Sequence, residues 1–259
     1  MALVALAALV PFYIMIVMGT HENETLYHGM VILPGRFLAR NIRLVMESGF
    51  LRFYGNSMIV SAVSTVISVF VSSMAGYSLA LYRFRLRKLF SSFVLVTMMV
   101  PPQLGIIAYV VQMRMMGLTN TLLPLVFWWA AYGFGVFLMA QFMRSAVPLP
   151  IIESARMDGC GEFSTFLRLA LPLSTSAVVT LATIVFVLSW NNYLLPLVLV
   201  NRVENYTVPL GVALLGSAYR TNYTAMTAGL MLGTIPVLVI FIMGSGYFIR
   251  GMTAGALKE

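Results

Sequence analysis

Six tracts of this chain, 1–21, 53–82, 89–113, 115–143, 169–201 and 221–249, contain no Lys, Arg, Asp or Glu. A helix that crosses the hydrocarbon of a bilayer needs about 20 consecutive apolar residues. Every tract reaches that length. Lipid offers the backbone no hydrogen-bond partner, so each tract is predicted to be helical. The predicted fold class is an all-α membrane protein with six transmembrane helices over about 2–18, 56–78, 90–111, 122–143, 175–198 and 226–248, in a single domain over 1–259. Charged residues make up 9% of the chain, against about 25% in soluble domains, and no water-soluble core is required. A membrane β-barrel would show short alternating segments, and these tracts do not alternate.

The net charge of +8 raises nucleic acid as a partner. The basic residues sit at tract ends, however, where membrane topology requires them, and no nucleic acid is expected. The segment Tyr82–Lys88 carries Arg83, Arg85, Arg87 and Lys88 with no acid, which predicts a cytoplasmic loop. Alternation then places 144–174 and the C-terminus inside, and 19–55, 112–121 and 201–224 outside. Residues 37–46 repeat apolar side chains at helical spacing with arginines between, the pattern of an interfacial helix. His21 and His28 fall in an outer segment and read as surface residues, not metal ligands. The greasy start resembles a signal segment but lacks a basic leader and a cleavage site. It reads as a retained first span, with the true start or a short tail expected upstream.

Much chemistry is missing. A phosphate-cradling loop needs Gly-Lys followed by Ser or Thr; the only lysines, Lys88 and Lys258, follow Arg87 and Leu257. There is no His-Glu-x-x-His pair for zinc. No carboxylate, lysine or arginine lies well inside a span, where a coupled carrier or proton pump usually needs one. Inverted repeats of interrupted spans are not visible either. A membrane enzyme and a self-sufficient channel or secondary carrier are both disfavoured. If this chain transports, a partner must power it.

The 144–172 connector breaks the monotony. Pro148 and Pro150 suit a helix start. Residues 151–158 favour a short helix, and Gly159 can adopt the left-handed conformation that ends one. A second helix is predicted from Glu162, with Phe163, Phe166 or Leu167, and Ala170 on one outward apolar face, closed by Leu171-Pro172. Glu153, Arg156 and Asp158 edge that surface. From the residues alone there are two readings, a docking elbow for a partner or an amphipathic helix on the inner leaflet.

The spacing here is similar to the signature loop of permease subunits in bacterial ABC importers: Glu-Ala-Ala, three residues, Gly, nine residues, Ile-x-Leu-Pro. This chain has Glu153-Ser154-Ala155, three residues, Gly159, nine residues, then Leu169-Ala170-Leu171-Pro172. Other strings narrow the resemblance to the carbohydrate branch of the maltose-transporter type, which it covers from about residue 37 onward. They are Asn56-Ser57, Val100-Pro101-Pro102-Gln103, Gly117-Leu-Thr-Asn120-Thr121, Trp190-Asn191-Asn192-Tyr193-Leu-Leu-Pro196, and a tail ending Gly255-Ala-Leu-Lys258-Glu259. That tail departs from the family's usual Gly-Ala-Val-Lys-Gly.

The resemblance implies a multi-pass permease of the bacterial inner membrane. It implies a second homologous permease subunit in a heterodimer, two ATPase subunits and an extracytoplasmic solute-binding protein, beside membrane lipid. ATP and Mg would sit on the ATPase, with no cofactor or metal in this chain. Glu153 and Asp158 are implied as polar anchors to the ATPase, Gly159 as the turn, and Phe163 and Phe166 as packing residues. Ser154, Ala155, Arg156 and Pro172 complete the coupling set. The expected function is half of an ATP-driven path for a sugar or oligosaccharide, with glycerol phosphate or a polyol as the alternative cargo.

Polar residues inside spans single out Gln103, Trp190, Asn191, Asn192 and Tyr193 as candidate path residues. Pro101-Pro102 should kink the third span, which serves a cavity or packing equally. Trp190 and Tyr193 suit a sugar face and also a place at the membrane interface, and packing against a partner permease is the favoured reading. Ser61, Ser64, Ser68, Ser72 and Gly76 recur along span two at a spacing that permits close helix contact.

Overall fold

A computed structural model describes residues 2–29, 31–215 and 222–256, with side chains described for 6–26, 29, 31–215 and 222–246. The side chain of His28, the side chains of the tail and residues 257–259 therefore lie outside the described set. Among the described residues every regular element is helical and there is no strand.

The elements are α1 (Ala2–Gly19), α2 (Leu38–Glu47), α3 (Phe50–Leu81), α4 (Arg87–Met99), α5 (Ile106–Met115), α6 (Leu123–Phe127), α7 (Gly133–Ala146), α8 (Leu149–Met157), α9 (Glu162–Thr165), α10 (Leu171–Leu173), α11 (Thr175–Trp190), α12 (Leu194–Leu199), α13 (Val208–Leu214) and α14 (Tyr223–Ala256). Two stretches, Phe50–Leu81 and Tyr223–Gly246, are by themselves long and apolar enough to cross a membrane. Further apolar length comes from helix pairs bent at a break, and from α1.

The breaks follow local chemistry. α4 and the run Pro102–Met115 meet at 93°. Proline restricts the preceding residue to extended backbone, and Val100 has φ −85° and ψ 121°. The kink predicted at Pro101-Pro102 is therefore present.

Two predicted spans are not continuous helices. Over 122–143 the helix stops after Phe127 and resumes at Gly133. Trp129 N–H bonds the carbonyl of Val126 and Ala130 N–H that of Phe127, tightening the turn to three-residue bonds. Trp129 and Tyr132 then pack edge to face. Over 175–198 the helix stops at Trp190 and resumes at Leu194. Pro196 cannot donate to residue 192, and its ring would strike that carbonyl in a continuous helix. Asn192 Oδ1 instead accepts the Leu195 N–H at 3.0 Å, capping the new helix.

The chain forms two compact units. One holds Met1–Ile59, Asn120–Leu122 and Trp190–Val239; the other holds Val60–Thr119, Leu123–Ser189 and Ile240–Glu259. In the first, Asn41 Nδ2 donates to the carbonyls of Gly19 and His21, both at 2.8 Å, pinning α2 to the end of α1. Ser57 Oγ accepts the Val208 N–H at 2.8 Å, and Asn56 Nδ2 donates to the carbonyls of Glu204 and Tyr206.

In the second unit the core gathers Tyr77, Met139, Met143, Ile152, Phe166, Ala170, Leu181 and Val185. Ser61, Ser64, Ser68 and Ser72 are fully buried. A Cβ on Gly76 would lie 2.6 Å from Met139 Cβ and 2.8 Å from the Ala140 nitrogen, and one on Gly135 would lie 2.6 Å from Ser72 Oγ. The small residues let α3 and α7 approach backbone to backbone. Arg87 Nε and Arg144 Nη2 both donate to the Leu79 carbonyl, placing cations at the negative end of the α3 dipole.

Candidate functional site

The 144–172 connector folds as an elbow. α7 and α8 meet at 82°, and Glu162–Leu173 meets α11 at 83°. Pro150 falls in the first turn of α8, where its missing N–H costs nothing. The turn after α8 needs Gly159, whose φ is +79°, a conformation that strains other residues. Glu162 opens α9, an acid at the positive end of a helix.

The second helix of the elbow is not regular. Residues 166–170 widen into a π-turn, with Leu171 N–H bonded to the carbonyl of Phe166 five residues back. Pro172 explains it. The ring would collide with the Arg168 carbonyl in an α-helix, and one extra residue in the turn relieves the clash.

That turn changes the predicted surface. Of the predicted face, Phe163 and Leu167 stand outward, whereas Phe166 and Ala170 do not. Phe163 is 55% exposed, whereas Phe166 is 2% exposed and Ala170 is fully buried. The Phe166 ring lies 5.4 Å from Tyr77 and 6.3 Å from Phe70. Ile152 of α8 is buried in the same core. The elbow thus has an inner face fastened to α3, α7 and α11, and an outer face left open.

Glu153, Ser154, Arg156 and Asp158 are exposed on the outer face, while Ala155 is buried against the core. Ser154, Ala155 and Asp158 line one open cleft of about 350 Å³ with Pro150, Ile151 and Leu169. Glu153 is not among the cleft residues. Pro172 is exposed.

Two partners at the elbow have no sequence signal of their own, Glu162 and Tyr82. Arg156 Nε donates to Glu162 Oε1 at 2.8 Å, the Tyr82 hydroxyl donates to Glu162 Oε2, and the Arg156 guanidinium lies 5.2 Å from the Tyr82 ring centre. The Tyr82 hydrogen bond, with help from Arg156, holds the Glu162 carboxyl below its ordinary range against the opposing effect of burial. Burial first, and the bond to Glu162 second, push the Tyr82 hydroxyl well up.

The sequence profile of the family described as binding-protein-dependent transport system inner membrane component matches residues 68–246, from the middle of α3 through the elbow into α14. This chain belongs to that family. The permease is 31% identical over 262 residues to the arabinooligosaccharides transport system permease protein AraQ of Halalkalibacterium halodurans, covering 99% of this chain and 94% of that protein. It is 30% identical over 258 residues to the lactose transport system permease protein LacG of Rhizobium radiobacter, covering 100% and 94%. Its fold matches a solved bacterial ABC transporter involved in the import of the acidic polysaccharide alginate, with TM-score 0.80 and 23% identity over 95% of this chain and 93% of that one.

The candidate path residues of the permease divide between its two units. Gln103 is exposed in the turn Pro102–Gly105 at the α4–α5 bend. Trp190, Asn191, Asn192 and Tyr193 belong to the other unit. Trp190 is 2% exposed; its Nε1 donates to the Gly233 carbonyl at 2.9 Å and Tyr54 lies across its ring, 5.3 Å between centroids. Asn191 and Tyr193 are exposed at the helix break, and Asn192 is the cap of α12. That same unit holds a polar cavity of about 490 Å³ lined by Glu22, Glu24, Arg40, Asn41, Asn222 and neighbours.

Proposed function

We propose that the permease is the membrane-spanning subunit of an ATP-driven importer and forms half of a path for a sugar or oligosaccharide handed over by a soluble binding protein. It hydrolyses nothing itself. Its partners are a second permease subunit, two ATPase subunits and the binding protein. The six passes are α1, α3, the bent α4–α5 pair, α6–α7, α11–α12 and α14, with the elbow and the C-terminus on the cytoplasmic side. The sugar assignment draws on the cargoes that AraQ and LacG are named for.

The observation that carries this reading is the two-faced elbow. A push from the ATPase on the outer face, at Glu153, Ser154, Asp158 and Phe163, reaches the spans because Ile152, Phe166 and Ala170 are locked into the core on the other side. Protein interiors are close-packed and transmit such displacement. Turning a 1:99 equilibrium into 99:1 takes about 5.5 kcal/mol of differential interaction. A single exposed ion pair supplies about 0–1 kcal/mol, so the grip must use several contacts. The cleft beside Ser154 and Asp158 enlarges the surface available for them.

The cavity lined by Glu22, Arg40 and Asn222 gives the binding protein a polar landing place. Asn191 and Tyr193 are the exposed candidates for touching cargo, and Trp190 acts behind them as the packed support of the helix break. The test is uptake of labelled arabino- or malto-oligosaccharide by vesicles holding the permease, its partner subunits and the binding protein. Uptake that requires ATP and all components is expected. Flux through the permease alone, or uptake confined to a phosphorylated polyol, would contradict the reading.

A further inference from the structure

Gly159 has no atom within 4 Å of where a Cβ would stand, so nothing packs against the turn of the elbow. The backbone bonds of α8 end at Cys160, whose N–H bonds the Ala155 carbonyl, and those of α9 begin at Gly161, which accepts from Thr165. Among the described residues, the hydrogen bonds joining α8 directly to α9 are those from Arg156 Nε and Nη2 to the two Glu162 oxygens, at 2.8 and 3.4 Å. Tyr82, one residue beyond α3, donates to the same carboxylate. The Arg156 guanidinium rests on its ring, and Tyr77 packs against that ring edge-on at 5.4 Å.

We propose that Tyr82, Arg156 and Glu162 form a latch that closes the Gly159 turn and ties both arms of the elbow to the end of α3. The three are positioning residues. Ile152 and Phe166 already hold the inner faces of the two arms to the core; without the latch the outer ends beside Gly159 loosen, and part of a push on them is lost in the turn. With them the arms and the α3 terminus move as one piece. The geometry suits this task. Two oxygens of one carboxylate serve two donors from different elements, a planar guanidinium pairs in fork geometry, and the cation lies over an aromatic ring. The groups are also partly exposed, so the latch can yield when a partner docks. Its role in transport rests on the coupling function proposed above; its existence does not.

Cys160 is the chain's only cysteine, lies between Gly159 and Gly161, and is exposed. A nitroxide placed there reports motion of the turn with no engineered site. The full-length permease is labelled in lipid nanodiscs and compared with Tyr82→Phe, Glu162→Gln and the exchange Arg156→Glu with Glu162→Arg. Tyr82→Phe keeps the ring and removes one hydrogen bond. The latch predicts that each single substitution raises the mobile fraction of the label about two- to fivefold, the range set by exposed ion-pair energies, and that the exchange restores part of the order. Unchanged spectra in both Tyr82→Phe and Glu162→Gln overturn the latch, as does an exchange that is no better than Glu162→Gln. Capture of the ATPase subunits by Glu153→Lys, measured on the same preparations, separates the two ideas. Undiminished capture there sinks the coupling reading, while the latch still stands or falls on the spin-label spectra.

Discussion

The ring of Phe166 packs 5.4 Å from that of Tyr77 and is buried, while Phe163, one turn earlier on the same short helix, stands 55% exposed. Two aromatic residues three positions apart therefore do opposite jobs. Phe166 fastens the elbow and Phe163 offers a surface. Phe166→Ala should cost about 3–5 kcal/mol of stability, the usual effect of deleting a buried ring, and should lower the midpoint of thermal or denaturant unfolding. Phe163→Ala should leave stability in that assay within about 0.5 kcal/mol of its original value, yet weaken capture of the ATPase subunits.

Close approach of α3 and α7 should make Gly76 intolerant of any side chain. A methyl group there meets Met139 Cβ at 2.6 Å and the Ala140 backbone at 2.8 Å, and backbone cannot move aside as a flexible side chain does. Gly76→Ala should destabilise by about 1–3 kcal/mol through overpacking. Gly55, with nothing within 4 Å, is the control, and Gly55→Ala should be neutral or slightly stabilising in the same unfolding assay.

The left-handed turn at Gly159 makes a separate demand. Gly159→Ala has open space but the wrong φ, and should cost about 1–2 kcal/mol. Gly159→Pro cannot adopt a φ of +79° at all. We expect the alanine variant to transport slowly and the proline variant to insert in the membrane without transporting, as measured by vesicle uptake beside membrane content.

The Glu162 carboxyl is held below its usual range by Tyr82 and Arg156. A depressed folded pKa means the ionised form is favoured by the fold. Its contribution is complete above the ordinary carboxylate pKa of about 4.3 and is lost as pH falls through the lowered folded value. A nitroxide at Cys160 should keep constant mobility from neutral pH down through about 4.3 and loosen only below it. Loosening centred at or above the ordinary value would contradict the assignment.

Removing the cap of α12 should matter locally. Asn192→Ala frees the Leu195 N–H and should cost about 1 kcal/mol, while Asn192→Asp or Asn192→Ser keeps most of the stability. Differential hydrogen exchange at residues 194–197 is the direct measure.

The helical class and the α4–α5 bend are legible in the sequence because charge-free length and Pro101-Pro102 act locally. So is the turn at Gly159, where a residue free to take positive φ ends a short helix. The breaks at 128–132 and 191–193 are not legible from the absence of charge. Apolar length reports solubility in lipid, not helix continuity, and the second break depends on Pro196 acting on a carbonyl four residues earlier. The outward face of the elbow is hidden for a different reason. A regular 3.6-residue period groups Phe163, Phe166 or Leu167, and Ala170 without saying which of the middle two faces out. Leu167 stands outside with Phe163, and beyond Phe166 the π-turn before Pro172 shifts the phase so that Ala170 lies inward. Arg156 and Glu162 are six apart, outside the three- and four-residue pairing rule, and meet only because the chain reverses between them. Tyr82 is distant in sequence and offers no periodic cue.

The proposed coupling requires the elbow to be a handle pulled by an ATP-hydrolysing neighbour. The most direct measurement is ATP-driven uptake, together with ATPase turnover, in vesicles containing the complete transporter with either the native permease or Glu153→Lys. Reversing that charge on the open face should leave insertion unchanged and reduce capture, uptake and stimulated turnover by roughly tenfold or more, since a misplaced interfacial charge costs several kcal/mol. Native rates of uptake and turnover in the Glu153→Lys transporter would contradict it.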